Sequence, residues 1–278
     1  MMTSLIKVTD SQNSKKLFLL ICLCVPFFVI QSTFYFIPCE HHQDGQMFSE
    51  KDVVYQRNEL SYLLNKQRQM VGQLECTHVL NNISSSGAWC KNESLPTSSE
   101  HITDYKLAKQ LSNYLRGKRV GSFGDGPGLY KKYFDESKML SVYDAYDGAP
   151  FAESVSGGNV KFLDLSVPQF GIPIYDWIVS LEVAEHIPEK YESTFLSNLA
   201  RHAKTGIILS WARPNQTGYG HVNGRLIDYV LDKMKKLGFE RNVKDSNFLR
   251  WNCDFGWLRK NINVYIRRTD FPVKIEDA

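Results

Sequence analysis

The sequence predicts an α/β domain with a mostly parallel sheet covered by helices on both faces, preceded by a transmembrane helix and a stalk. Three observations carry this expectation. An uncharged stretch of 22 residues runs from 17 to 38. From residue 102 onward, apolar runs of strand length alternate with segments of helical periodicity, the pattern of parallel strands joined by crossover helices. The first of those strands ends in the run GDGPG at 124–128, where glycines let the chain turn sharply before the next helix.

Composition narrows the function classes. The chain has 278 residues, 43% hydrophobic and 23% charged, which is the balance of a globular protein. Its net charge is +3, and the first 16 residues alone carry +2. A body this neutral cannot drive counterion release from a phosphate backbone, so no nucleic-acid partner is expected.

The N-terminal stretch reads as a signal-anchor. As a helix, 22 residues rise roughly 33 Å, the thickness of the hydrocarbon layer. Lys7, Lys15 and Lys16 precede it, whereas Glu40, Asp44, Glu50 and Asp52 follow it against Lys51. Positive residues stay in the cytoplasm, which places residues 39–278 in the lumen or outside. The residues after the apolar run are bulky, not the small-x-small pattern of a cleavage site, so a retained anchor is favoured over a cleaved signal and a secreted product. The expected location is the Golgi or ER, as a single-pass type II membrane protein touching the membrane through this helix.

A luminal body agrees with the sequons at Asn82, Asn92 and Asn215, acceptors for N-glycosylation. Cys22 and Cys24 lie in the apolar stretch. Cys76 and Cys90 enclose a short loop carrying Asn82, and an oxidising compartment would close it as a disulfide. Cys39 and Cys253 receive no assigned partner. No C-x-x-C occurs, and Cys and His never fall at zinc spacings, so no metal site is expected.

The elements follow in order. Residues 1–16 form the cytoplasmic tail, 17–38 the anchor, 39–101 a stalk and glycosylated loop, 102–270 the α/β domain and 271–278 a tail. Ser49 to Asp52 make a capping-box pattern. Val53, Leu60, Leu63/Leu64, Met70/Val71 and Leu74 then recur at helical spacing and predict an amphipathic helix packed on the domain. Leu107, Leu111 and Leu115 mark a helix. Strands are expected at 119–123, 140–146, 160–165, 176–181, 205–211 and 261–268. Between them, helices run to about 135, over Tyr191, Phe195, Leu199 and Ala203, and from Leu226 to a stop at Gly238.

The glycine run sits between the first strand and its helix, where free N–H groups and a positive dipole end favour a ligand with negative charge. Its spacing departs from G-x-G-x-x-G by one residue, and no P-loop pattern occurs, which argues against a dehydrogenase and an NTPase. An acid at the end of the second strand, about 20 residues on, is the place for ribose hydroxyls. Asp144 and Asp147 both fall there, and Asp147 is favoured because Asp147-Gly148 leaves the strand in a turn. Asp164, ending the third strand, is placed to accept from an adenine amino group.

The stretches 120–128 (VGSFGDGPG), 142–148, the Asp164 strand and 176–188 (DWIVSLEVAEHIP) come in an order and spacing that resembles class I S-adenosylmethionine-dependent methyltransferases. Within that family the chain looks most like the small membrane-anchored methyltransferase-like proteins of animals. The resemblance spans residues 103–268. It implies a seven-stranded Rossmann-like sheet, bound S-adenosylmethionine, and methyl transfer to an acceptor such as a glycan, a lipid or a small molecule. By the same resemblance, Gly124, Gly126 and Gly128 cradle the methionine part, with Asp125 among them. Asp147 or Asp144 takes the ribose, Asp164 and Leu165 lie by the adenine, and Glu182 faces the sulfonium. The family carries an acid two residues before its first glycine. Here that residue is Ser122, and Asp125 or Glu182 must replace it.

An oxygen or nitrogen acceptor must lose a proton before it takes a methyl group. Glu185, His186 and His221 are the candidate catalytic residues. His186 and His221 follow adjacent strands, so their loops share the edge of the sheet where α/β folds place function. Two alternatives remain. One is a non-catalytic binding module on the same fold, for which Ser122 argues. The other is a Golgi glycosyltransferase, which shares the membrane topology, although the D-x-D of metal-dependent members is missing.

Overall fold

The computed structural model describes residues 49–78, 82–90 and 101–273. The expected anchor at 17–38, Cys39 and the Asn92 sequon lie outside the described residues. Among the described residues, no helix is long and apolar enough to cross a membrane. From Glu50 onward the chain folds as one unit.

Its frame is a sheet of seven strands in the order β3-β2-β1-β4-β5-β7-β6. The strands are β1 (Arg119–Phe123), β2 (Val142–Asp147), β3 (Val160–Phe162), β4 (Tyr175–Ser180), β5 (Ala203–Leu209), β6 (Phe239–Asn242) and β7 (Asn263–Arg267). The first five run parallel. β7 pairs antiparallel with both β5 and β6. This is a Rossmann-like α/β sheet with a mixed edge, as the resemblance implied. The central β1 is buried along nearly its whole length after Arg119, as a strand covered on both faces must be.

Helices cover both faces. They are α1 (Glu50–His78), α2 (Tyr105–Tyr114), α3 (Leu129–Ser137), α4 (Ala152–Val155), α5 (Glu192–His202), α6 (Ile227–Lys236), α7 (Val243–Trp251) and α8 (Leu258–Asn261). One core layer joins Phe123, Ile178 and Ile207 to Phe195 and Leu199 of α5 and Met234 of α6. The other joins Val120, Val179 and Ile208 to Leu107 and Leu111 of α2, Phe134 of α3 and Leu249 of α7. The segment β6–α7–α8 was not anticipated. Its strand has four residues, too few for a period to show.

The helix expected after residue 49 is present, but its faces are reversed. Val53, Leu60, Leu63, Met70 and Leu74 are all more than half exposed, whereas Ser61 and Gln69 are buried. The surface beneath α1 explains this. It is made of backbone carbonyls and the carboxylates of Glu153 and Asp164, which need donors. Asn65 Nδ2 donates to Phe162 O (3.0 Å), and Gln69 and Gln73 both donate to Pro150 O (3.3 and 3.1 Å). Arg68 Nε donates to Asp164 Oδ2 at 2.7 Å. Gly72 completes the fit, because a Cβ there would stand 2.6 Å from Pro150 Cγ. The helix placed in the stalk therefore belongs to the same unit as the sheet, fastened across the C-terminal ends of β2 and β3.

The disulfide Cys76–Cys90 is formed, with Cα atoms 5.1 Å apart. It ties the end of α1 to a segment, 82–90, pinned by an isolated bridge between Ile83 and Trp89. Cys253 is free and buried among apolar side chains, and burial pushes its thiol up to about 12. With the bridged cysteines 14 positions apart, the loop-entropy model gives about 3 kcal/mol for the crosslink. Replacing Cys76 and Cys90 by Ser together should lower the unfolding free energy by about that amount. Urea unfolding of the double variant, with the parent run in reductant as a parallel, measures it.

Candidate functional site

Two strand exits define the site. β1 and β4 are neighbours, paired Ser122 to Val179, but their connections leave toward opposite halves of the sheet. The crevice at such a reversal is where open α/β sheets bind ligands. The glycine turn leaves β1 here. Gly124 and Asp125 both donate from their backbone N–H to Tyr146 O (2.8 and 2.9 Å), which locks the turn to the end of β2. Gly124 has φ +100°, and a Cβ on it would stand 2.1 Å from Val183 Cγ2. Only glycine fits at that conformation and that approach.

Asp125 folds back under the turn. Its Oδ1 accepts from Ser122 Oγ (2.7 Å) and Tyr143 Oη (2.6 Å), and its Oδ2 accepts from Lys131 N–H (3.2 Å) in the first turn of α3. Asp125 thus puts a carboxylate beside Ser122 and caps α3, whose own first flanking residue is Gly128 with no side chain to do so. Burial pushes this carboxyl up to about 6, against the pull of the three hydrogen bonds.

The three acids expected for ribose and adenine are each hydrogen-bonded within the protein. Asp147 is buried, and its oxygens accept from Gly126 N–H and Ala149 N–H, each at 2.8 Å. The Trp89 side chain adds a third bond, and burial still holds the carboxyl above its ordinary range. Asp147 therefore closes the turn. Asp144 lies mid-strand, level with Gly121, and accepts from Tyr175 Oη at 2.8 Å, which removes it from the strand end. Asp164 Oδ2 accepts from Arg68, and its Oδ1 accepts from Ser166 N–H and Oγ (2.8 and 2.6 Å), so it fastens α1. Leu165 is buried in the apolar core.

The β4 exit carries the second half of the site. Glu182 has φ +56°, a left-handed conformation that costs a non-glycine residue of order 1 kcal/mol or more and recurs at functional sites. Ser210 Oγ accepts from Glu182 N–H and donates to Glu182 Oε1, both at 2.7 Å. Burial raises this carboxyl, offset by Ser210 and by the charge of His221.

Three residues later the chain delivers Glu185 and His186, and the loop after β5 delivers His221. The His186 and His221 rings stand edge to face with centroids 4.9 Å apart, and His221 Nε2 is 4.0 Å from Glu185 Oε1. The loops are clamped together by the backbone. Val222 and Asn223 N–H both donate to Glu185 O at 2.9 Å. Behind them Glu192 accepts from Asn223 Nδ2 (3.2 Å), Arg225 Nε (2.9 Å) and Tyr229 Oη. Burial acts to raise the Glu192 carboxyl, but these bonds outweigh it and hold the group below its ordinary range. Glu192 went unnoticed in the sequence, where it reads only as an acid in a helix's first turn.

Glu185 is fully buried, and neither carboxylate oxygen makes a hydrogen bond of normal geometry. Burial, reinforced by the Glu182 charge, pushes its carboxyl up to about 8, and the nearby backbone N–H groups of Glu185 and Ala212 only partly oppose this. Burial and the His221 charge push His186 down to about 4, so it is neutral at physiological pH. No metal site is expected from the sequence, because Cys and His do not fall at zinc spacings along the chain. Glu185, His186 and His221 escape that pattern, and only folding brings one ligand atom of each within 4.8 Å of the others.

The disulfide-closed segment covers this edge. Its Trp89 bonds Asp147 and lies 5.0 Å from the His101 ring. Gly87 packs directly against the His186 carbonyl, and Ile83 against Gly220. The exposed sequon residues Asn82 and Asn215 flank the same loops.

No known family model matches the chain, and no curated protein matches it. Several solved structures of methyltransferases are similar in outline. The magnesium protoporphyrin IX methyltransferase of Synechocystis with bound SAH aligns over 61% of this chain and 90% of its own, at 16% identity and a TM-score of 0.43. A TehB-like SAM-dependent methyltransferase from Corynebacterium glutamicum aligns over 59% of this chain and 86% of its own, at 18% identity and a TM-score of 0.42.

The Asp125 knot makes a pH-dependent contribution with a defined sign. The folded state keeps a proton that the unfolded chain releases between 3.8 and about 6, so stability falls as pH rises across that window. Asp125→Asn keeps an acceptor for Ser122 and Tyr143 and should flatten the decline. Urea unfolding at a series of pH values reads it directly.

Proposed function

We propose that this protein is an S-adenosylmethionine-dependent methyltransferase that acts on an oxygen or nitrogen of an acceptor in the secretory lumen. The observation that carries the reading is the convergence of Glu185, His186 and His221 beside a glycine turn at the reversal point of a Rossmann-like sheet. The family order of motifs in residues 103–268 supports it. The membrane-anchored subgroup and the luminal location rest on the uncharged stretch at 17–38, the exposed Asn82 and Asn215, and the Cys76–Cys90 disulfide.

The residues fit the cofactor at one end. The glycine turn offers a close backbone approach, and the Glu182 carboxylate stands across the crevice for the ammonium or sulfonium charge. At the other end Asp147 and Asp164 are already committed to internal bonds. When bound, the cofactor would supply an activated methyl group, so the chain's work is to align the acceptor and relieve it of a proton. Alignment alone can supply about 7–11 kcal/mol. His186 and His221 line the place where the acceptor would lose its proton, and the Gln216 carbonyl, 3.0 Å from Nδ1, orients His221.

The engagement of Asp147 and Asp164 favours one other reading, a non-catalytic binding module on the same fold. Calorimetry of the full chain with S-adenosylmethionine and with NAD separates them. The methyltransferase reading expects the former to bind and to be lost in Gly126→Val, since Gly126 has φ +61° and a Cβ there would stand 3.3 Å from His101 Nδ1. A folded parent that binds neither ligand supports the module.

The histidines give a second prediction. In a methyl-transfer assay on luminal extracts, His186→Ala and His221→Ala should lose about 10²–10⁴-fold in rate while cofactor affinity stays within a few-fold. Folded variants that turn over normally would remove both histidines from proton transfer.

A further inference from the structure

Proton transfer leaves the buried Glu185 carboxylate unexplained. A carboxyl group without well-formed hydrogen bonds is costly to bury in either protonation state, and neither oxygen of Glu185 makes a hydrogen bond of normal geometry. What faces them is imidazole. His221 Nε2 lies 4.0 Å from Oε1, and one ligand atom from each of Glu185, His186 and His221 lies within 4.8 Å of the others.

The imidazoles are held as ligands are held. His221 meets the Gln216 carbonyl through Nδ1 at 3.0 Å, which puts a proton on Nδ1 and turns Nε2 toward Glu185. His186 hydrogen-bonds the backbone of Gly220. Anchoring one ring nitrogen on a backbone group while the other faces the centre is the usual outer support of a metal-bound histidine. Gly218 keeps the approach to His221 Nε2 clear, since a Cβ there would stand 2.2 Å from it.

We propose that Glu185, His186 and His221 form a binding site for one divalent first-row transition-metal cation, held by a carboxylate oxygen and two imidazole nitrogens. The donor set decides the class. Two imidazoles disfavour calcium and magnesium, whereas His₂-carboxylate sets suit zinc, iron and manganese. A cation about 2.0–2.2 Å from each ligand draws the three atoms roughly an ångström closer together, a movement the glycine-rich loop at 218–224 can supply. Three protein ligands leave coordination positions open. Resting on the methyltransferase reading, the acceptor class follows: a hydroxyl compound with a second oxygen on the neighbouring atom, such as a vicinal diol, which fills two open positions at once. A coordinated hydroxyl releases its proton to solvent far more readily than a free one.

The test is metal binding by the full chain, stripped with chelator and titrated with Mn²⁺ and Zn²⁺ by calorimetry in the absence of cofactor and acceptor. One cation per chain is expected for the parent and for His78→Ala, which removes an exposed histidine on α1. Glu185→Gln and His221→Ala should each weaken binding by more than the roughly 10–100-fold that losing an outer hydrogen bond costs. His221 is on a loop, so its variant reports even where Glu185→Gln does not fold, as judged by circular dichroism. A folded parent that binds no cation, or a His221→Ala that binds as the parent does, overturns the site. Because this readout needs no methyl donor, it stands or falls apart from the methyltransferase reading. If the parent transfers methyl groups equally well to diols and to isolated hydroxyls, with or without chelator, the acceptor assignment is overturned and the metal titration alone decides the site.

Discussion

The pairing of β1 with β4 is the constraint on which the rest depends. Two parallel neighbours whose connections diverge leave a crevice at their C-terminal ends that no crossover helix can cover. The strands stand about 4.8 Å apart, so whatever follows them is forced into proximity. A glycine turn follows one and the strained Glu182 follows the other. Their packing meets at Gly124 and Val183, where no Cβ can be admitted. The site is therefore held by the central and most buried strands of the sheet.

Beyond the strands the site is a two-loop assembly, and its cohesion is polar. The Glu185 carbonyl takes two backbone N–H groups from the loop after β5, and Glu192 gathers Asn223, Arg225 and Tyr229 behind it. Buried polar networks of this kind rigidify when every member is satisfied. Glu192 is satisfied and its carboxyl is lowered, whereas Glu185 is unsatisfied and its carboxyl is raised. The contrast between two buried glutamates seven residues apart marks one as structural support and the other as a group awaiting a partner.

The α1 helix and the disulfide-closed segment give the fold its particular character. Carbonyls at Phe162, Pro150 and Pro168 and the carboxylates of Asp164 and Glu153 require donors, so α1 turns Ser61, Asn65, Arg68, Gln69 and Gln73 inward. Its apolar stripe is left facing outward. The same docking engages Asp164, and Trp89 engages Asp147. Covering this edge of the sheet and presenting free carboxylates there are competing uses of the same side chains.

The sequence by itself determined the succession of strands along the chain up to β5, the glycine turn, the helix periods that bury Leu107, Phe195 and Met234, and the loop that Cys76 and Cys90 close. These are local or periodic signals, and burial on both faces of a parallel sheet writes them strongly. It also named Glu185, His186 and His221, because loops after adjacent parallel strands must share an edge. The antiparallel β6–β7 edge, the reversed faces of α1 and the internal roles of Asp147, Asp144 and Asp164 were decided only by tertiary structure. An acid at a strand end has the same spelling whether it waits for a ligand or is taken by a neighbour's N–H. An apolar stripe does not say whether the surface opposite is oil or carbonyl oxygen. Those outcomes depend on which hydrogen-bonding groups the finished sheet leaves unpaired, a quantity that exists only once the chain has folded.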